Sequence, residues 1–230
     1  MDTVRAITFD LDDTLWDNRP VLLAAEAALH AWLEAHYPRI TARHSVESLR
    51  AERLALAERE PRLRHHMTAL RKASLAMAAA AAGYPAEPTA AAAFEVFLAA
   101  RQRVTPYPDV VPAIGRLQAA GFVVGALTNG NADVRRIGLG HLFAFSIQAE
   151  EVGAPKPHPR LFEAACERAG VGPEALLHVG DEPETDIAGA RAAGIRAVWM
   201  NRLGHPPPAE HRPDAEVRDM DGLLELLGLR

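Results

Sequence analysis

The stretch "AITFDLDDT", Ala6–Thr14, decides how the rest of the chain is read. Its first four residues form a short apolar run of the kind that fills a strand buried on both faces of a sheet. Three acids then crowd into four positions: Asp10, Asp12 and Asp13. Side chains alternate along a strand, so Asp10 and Asp12 can point the same way while Leu11 points away. Asp13 has the other parity and reads as a solvated or turn residue. Taken alone, the same letters also describe a solvated turn after an edge strand. The residues at the ends of the other apolar runs decide between the two.

Four more such runs occur: "FVVGAL" from Phe122, "FSIQA" from Phe145, "LLHVG" from Leu176 and "RAVWM" from Arg196. Helical patterns lie between them, namely "PDVVPAIGRLQAAG", "HPRLFEAACERAG" and "PETDIAGARAAG". Short buried strands alternating with helices predict an α/β fold with a parallel sheet covered on both faces. The segment from about Pro20 to Arg103 differs: it is rich in Ala, Leu, Glu and Arg, has no glycine before Gly83, and shows four helical patterns. Ser45, with Glu47 close behind, suits a helix start, and Gly83 suits a stop. The expected organisation is a core from residues 1–16 and 105–230, with an all-helical insertion over 17–104. The two prolines of "TPYPDV" suit the return from that insertion.

A chain of 230 residues, 49% of them apolar, can bury the core of one large domain, or of one domain carrying a smaller insert. The formal charge of -5 argues against a nucleic-acid partner. A single cysteine, Cys166, excludes an intramolecular disulfide and a Cys-based zinc site, and reads as a buried thiol on a helix. "MDTVRA" lacks the basic start and apolar run of an export signal. "LAMAAAAAGY" from Leu75 is too short to span a bilayer. The expectation is a cytoplasmic protein without a membrane partner, either a monomer or a homodimer.

Ligands of open parallel sheets bind at the carboxyl ends of the strands. Polar residues follow the run ending at Phe9 and those from Phe122, Phe145 and Leu176: "DLDDT", "TNGNAD", "EEVGAPKPHP" and "DEPETD". Such a collection points to one site at one edge of the sheet. Asp10 and Asp12 repel each other, and dehydrating each carboxylate costs several kcal/mol unless compensated. Asp181, after another strand, adds a third acid. A divalent cation resolves the conflict. Mg²⁺ prefers oxygen ligands and keeps positions open for water and phosphate, and no histidine or cysteine cluster accompanies the acids.

Four segments carry a family likeness: "DLDDT" at Asp10–Thr14, "LTNG" at Leu127–Gly130, "KP" at Lys156–Pro157 and "GDEPETD" at Gly180–Asp186. In this order they resemble the four motifs of the haloacid dehalogenase-like hydrolase superfamily. That resemblance implies a Rossmann-like core, and it makes the helical insertion similar to the family's helical cap. It implies that Asp10 is the nucleophile and Asp12 the general acid/base, whose backbone carbonyl also ligates the metal. Thr128 and Asn129 would hold phosphoryl oxygens, with Gly130 letting the backbone approach. Lys156 would orient Asp10 and neutralise charge. Asp181 would ligate Mg²⁺, Asp186 would stand behind it, and Thr14 would support the first loop. Family dehalogenases lack an acid at the place of Asp12, so the resemblance favours phosphoryl transfer.

Each residue also has a plainer reading. Lys156 could be a surface lysine, although it lies between two prolines after a strand. Asp181 and Asp186 could be helix-start acids favoured by the dipole. His178, inside a strand, reads as a structural histidine. Arg50, Arg53, Arg59, Arg62, Arg64, Arg71, Lys72, Arg101 and Arg103 read as solvated helix faces, and the alanines near Met77–Ala82 as close helix packing.

The expected substrate is a small phosphorylated metabolite. "FDLDDTLWDNRPVL", "TNGNAD" and "LLHVGDEPETDIAGARAAGIRAVWMNR" look like the flavin mononucleotide phosphatase branch, whose members hydrolyse that nucleotide or 5-amino-6-(5-phosphoribitylamino)uracil. The alternatives are a phosphomutase, a 2-haloacid dehalogenase and a non-catalytic phosphometabolite-binding protein.

Overall fold

A computed structural model describes residues 3–63, 66–207 and 210–229. The chain divides into two compact units, Met1–Asp17 with Thr105–Arg230, and Asn18–Val104.

The first unit is an α/β fold around a parallel sheet, as the alternating pattern predicts. Its strands are β1 (Ala6–Phe9), β2 (Val123–Thr128), β3 (Phe145–Gln148), β4 (Leu176–Gly180), β5 (Arg196–Met200) and β6 (Ala215–Val217). They lie in the order β3-β2-β1-β4-β5-β6. The chain therefore starts at the centre, builds outward through β2 and β3, then returns to β1's other side with β4. This reversal makes a topological switch point beside β1, where parallel sheets open a crevice for ligands. Phe9 pairs with Ala126 on one side and Val179 on the other, so the central strands end level with one another. Every residue of β1 and β4 is buried, which explains their unbroken apolar runs. β3 alternates buried and half-buried positions because it lies at an edge. β6 is the strand that the pattern did not announce. It has three residues, of which Glu216 is exposed, too short and polar to stand out.

The helices Val110–Ala119 and Pro159–Ala169 form where apolar spacing placed them. Leu161, Phe162 and Ala165 of the second pack with Leu127, Phe145 and Ile187 into one buried cluster. Gly125 in β2 is required there, since a Cβ would lie 2.3 Å from the Phe145 ring. Cys166 sits on the second helix, but it is half-buried rather than buried.

The second unit holds the helices Asn18–His36, Val46–Arg59, Met67–Ala81 and Ala86–Arg101, with a short turn of helix at Pro38–Thr41. Ser45 caps the second by accepting from the Ser48 N–H at 3.2 Å, and Gly83 comes just after the third with φ +73°. Ala78, Ala79, Ala90 and Ala93 are buried with Phe94 and Phe97, so the alanine run serves close packing. Two arginines depart from the solvated reading. Arg71 and Arg101 are buried; Arg71 pairs with Glu26 and lies 3.4 Å over the Phe97 ring. Burial, with Arg53 adding to it, lowers Arg71 to about 10. Arg53 also pairs with Glu26, whereas Arg50, Arg59, Arg62 and Arg103 are exposed; Arg64 lies outside the described residues. No helix among the described residues is long and apolar enough to cross a membrane.

Candidate active site

Asp10 comes directly after β1. Its N–H donates to Val179 O at 2.9 Å and extends the β1–β4 ladder by one residue, so its position is set by the sheet. The loop beyond it closes tightly: Leu15 N donates to Leu11 O at 2.9 Å and Asp13 N to Trp16 O at 2.8 Å. Asp13 takes φ 61°, a left-handed conformation that aspartate tolerates better than most residues, and its side chain is exposed. Leu11, Leu15 and Trp16 are fully buried and anchor the loop. Trp16 Nε1 donates to Asp12 Oδ1 at 2.9 Å, which fixes the second carboxylate.

Lys156 is buried, and its ammonium spends three donors on Asp10 Oδ1 at 2.5 Å, Asp186 Oδ1 at 2.6 Å and Leu127 O at 3.2 Å. The surface-lysine reading therefore fails. Asn129 explains how the backbone of Lys156 is held. Its amide oxygen accepts from Lys156 N at 2.7 Å and its amide nitrogen donates to Lys156 O at 3.0 Å. Asn129 lines the cavity, but both ends of its side chain are bonded to Lys156. Thr128 Oγ1 accepts from Gly130 N at 3.0 Å, which shapes the loop after β2.

From the end of β4, Asp181 Oδ1 accepts from Thr14 Oγ1 at 3.0 Å, and Trp199 Nε1 donates to Asp181 O at 2.8 Å. Asp186 is reached through a widened helical turn, Pro183–Ala188. Its Oδ2 accepts from Glu182 N at 3.0 Å, and its Oδ1 accepts from Lys156 and lies 3.1 Å from His178 Nε2. Gly180 makes room for this: a Cβ there would lie 2.2 Å from Asp186 Cγ.

Three carboxylates, Asp10, Asp181 and Asp186, offer oxygens within 4.8 Å of one another. Burial holds the Asp10 carboxyl well above its ordinary range; Lys156 opposes this, while Asp186 and Asp181 add to it. Burial and Asp186 push Asp181 up to about 7. Asp186 goes the other way: burial would raise it, but Lys156 and His178 hold it well below the usual carboxylate range. Burial would depress Lys156, yet Asp10 and Asp186 keep it above its ordinary value. One ammonium against three carboxylates leaves the ionised cluster short of positive charge. A hard divalent cation fits that deficit and the all-oxygen donor set.

These groups line a cavity of about 180 Å³: Asp10, Asp12, Thr128, Asn129, Gly130, Lys156, Asp181, Glu182, Thr185 and Asp186. The structure thus brings the residues of all four segments together. Thr14 stands behind Asp181 rather than in the cavity. Sequence reasoning missed Trp16, Trp199, Glu182 and Thr185. The tryptophans carry no local signal, because their contacts with Asp12 and Asp181 arise only when the loop and β5 fold back. Glu182 and Thr185 lie inside "GDEPETD", so that motif's length was a clue.

Carboxylates and a lysine thus gather at the switch point of a parallel sheet, on an α/β fold, from the ends of different strands. The chain belongs to the haloacid dehalogenase-like hydrolases, whose family model matches residues 4–194. It is 35% identical over 200 residues to the 5-amino-6-(5-phospho-D-ribitylamino)uracil phosphatase YigB of Escherichia coli (strain K12), covering 86% of this chain and 83% of that protein. It is 34% identical over 230 residues to the glyceraldehyde 3-phosphate phosphatase of Methanopyrus kandleri, covering 95% and 92%. A solved structure of 2-haloacid dehalogenase from Pseudomonas syringae pv. Tomato DC3000 is 44% identical, covers 98% of each chain and has a TM-score of 0.91. Its relatives thus include both phosphatases and dehalogenases.

Proposed function

We propose that this hydrolase is a Mg²⁺-dependent phosphatase that acts on small phosphorylated metabolites through an aspartyl phosphate on Asp10. The observation that carries the reading is a pair of carboxylates of different character on one cavity. Asp10 is buried and gripped by Lys156, whereas Asp12 is half-buried and gripped by Trp16.

Asp10 attacks phosphorus and takes the phosphoryl group, with Lys156 orienting it and offsetting charge. Asp12 protonates the departing alkoxide, then removes a proton from the water that cleaves the aspartyl phosphate. Thr128 and the backbone around Gly130 hold the phosphoryl oxygens, and Asn129 both lines the cavity and fixes Lys156. Asp10, Asp181 and the backbone carbonyl of Asp12 would hold Mg²⁺, with Asp186 and Thr14 behind them. Bound there, the cation would stabilise charge on the transferring group and reduce repulsion between anionic nucleophile and anionic ester. The helical unit is assigned the part of substrate-selecting cap from its place in the chain, between the first and second motifs.

One specific observation favours a second reading, the 44% identity to a 2-haloacid dehalogenase. The leaving group separates the two. An alkoxide needs a proton to leave and a halide does not, so a dehalogenase has no use for Asp12 as an acid. The identity to a 5-amino-6-(5-phospho-D-ribitylamino)uracil phosphatase makes that compound and flavin mononucleotide the first substrates to try.

The test is phosphate release from a panel of phosphorylated metabolites with Mg²⁺ and then with EDTA, beside halide release from 2-haloacids. Metal-dependent phosphate release is expected. Halide release without phosphate release would replace this reading with the dehalogenase. Transfer that requires a bisphosphate activator would indicate a mutase, and metal binding without any turnover a binding protein.

A further inference from the structure

His178 lies in the middle of β4 and is completely buried. A buried imidazole needs both ring nitrogens satisfied. The sheet register sets Thr8 of β1 directly opposite it. His178 Nδ1 lies 3.0 Å from the Thr8 hydroxyl, and Nε2 lies 3.1 Å from Asp186 Oδ1. The partners decide which nitrogen carries the proton. An ionised carboxylate only accepts, so Nε2 donates to Asp186 and Nδ1 accepts from Thr8. The other acceptor open to Thr8, Leu177 O, is more distant at 3.4 Å. The edge of the Phe162 ring packs against the imidazole, with centroids 5.2 Å apart, and leaves it little room to turn.

We propose that Thr8 and His178 form the positioning device of this site. They hold Asp186 Oδ1, the same oxygen that receives Lys156 Nζ, and thereby aim Lys156 at Asp10. A continuous buried chain of hydrogen bonds runs Thr8–His178–Asp186–Lys156–Asp10, with successive separations of 3.0, 3.1, 2.6 and 2.5 Å. Glu182 N fixes the other oxygen of Asp186, and His178 supplies the second restraint that stops the carboxylate from rotating. His178 touches no reacting atom; it acts through Asp186 and Lys156. Loss of the donor frees an ammonium that is shared among Asp10, Asp186 and Leu127 O. The ground-state contacts of Thr128 and Gly130 with a phosphate are untouched. The effect therefore falls on kcat and spares KM. This kinetic consequence rests on the phosphatase reading; the hydrogen-bond chain itself does not.

The experiment has two arms. In the first, the imidazoles of the ten histidines are labelled with ¹⁵N, and the His178 signal is identified as the one lost in His178→Gln. The Nε2–H tautomer is expected, and an Nδ1–H tautomer would overturn the pairing. In the second, His178→Leu is expected to lower kcat about 10–100-fold, the usual loss for an outer partner of a catalytic ligand, with KM within about 3-fold. His178→Gln, whose amide nitrogen can take the place of Nε2, recovers most of that loss. Thr8→Val, a smaller perturbation to folding, lowers kcat about 3–10-fold on the same grounds, and Thr8→Ser does not. Unchanged kcat in His178→Leu, or equal losses in the Leu and Gln variants, would overturn the proposal. If the wild-type protein hydrolyses no ester, the phosphatase reading fails separately, and the tautomer alone decides the pairing.

Discussion

Asp10 and Asp12 stand two positions apart, yet their surroundings give them different chemistry. Asp10 faces an ammonium and two carboxylates in a buried cluster, while Asp12 faces an indole N–H. Asp10→Asn should abolish turnover with the fold intact, because it removes the proposed nucleophile and one of three crowded carboxylates. Circular dichroism and phosphate release check this together, and substantial remaining activity would remove Asp10 from the mechanism. Gly180 is a sharper probe of geometry. The methyl of Gly180→Ala would collide with Asp186 Cγ, so Asp186 must move away from Lys156. A loss of about 1–3 kcal/mol in urea unfolding is expected from overpacking, with turnover reduced at least about 10-fold. Wild-type stability and activity in this variant would mean that the backbone gives way instead.

At the scale of elements, the two units are stabilised by different means. The strands of the sheet bury apolar side chains on both faces, and their polar ends make the site. The helices of the second unit pack through alanines, which permit close approach but leave no space for a larger residue. Ala93 is fully buried among Ala79, Ala90 and Phe97. Ala93→Leu should therefore destabilise the protein by about 1–3 kcal/mol, read as a lower urea midpoint. An unchanged midpoint would show a cavity beside Ala93.

For the whole molecule, the charge deficit of the buried carboxylates is expected to make stability respond to a divalent cation. Any ligand that binds only the folded state adds stability by mass action, about 2.7 kcal/mol at 100 times Kd. Mg²⁺ at that excess should raise Tm by roughly 5–10 °C for a protein of this size. EDTA should reverse the shift, and Asp181→Asn should remove most of it. A Tm indifferent to Mg²⁺ in the wild-type protein would mean that the acidic cluster holds no such ion.

The sequence by itself determined the alternation of buried strands and helices, the helical insertion and the four polar segments. All of these are local patterns of period 2 or 3.6, or short motifs readable within a few residues. It also showed that the acids belong at strand ends, because a carboxylate does not sit inside an unbroken apolar run without compensation. Only the tertiary structure decided who holds whom. Lys156 meets Asp10 across 146 positions, Thr14 meets Asp181 across 167, and Thr8 meets His178 across 170. Those pairs depend on strand order and register, which no local pattern encodes. The same holds for β6, whose three residues become a strand because β5 offers them an edge. Arg71 likewise leaves water because Glu26 and Phe97 arrive from other helices to meet its charge.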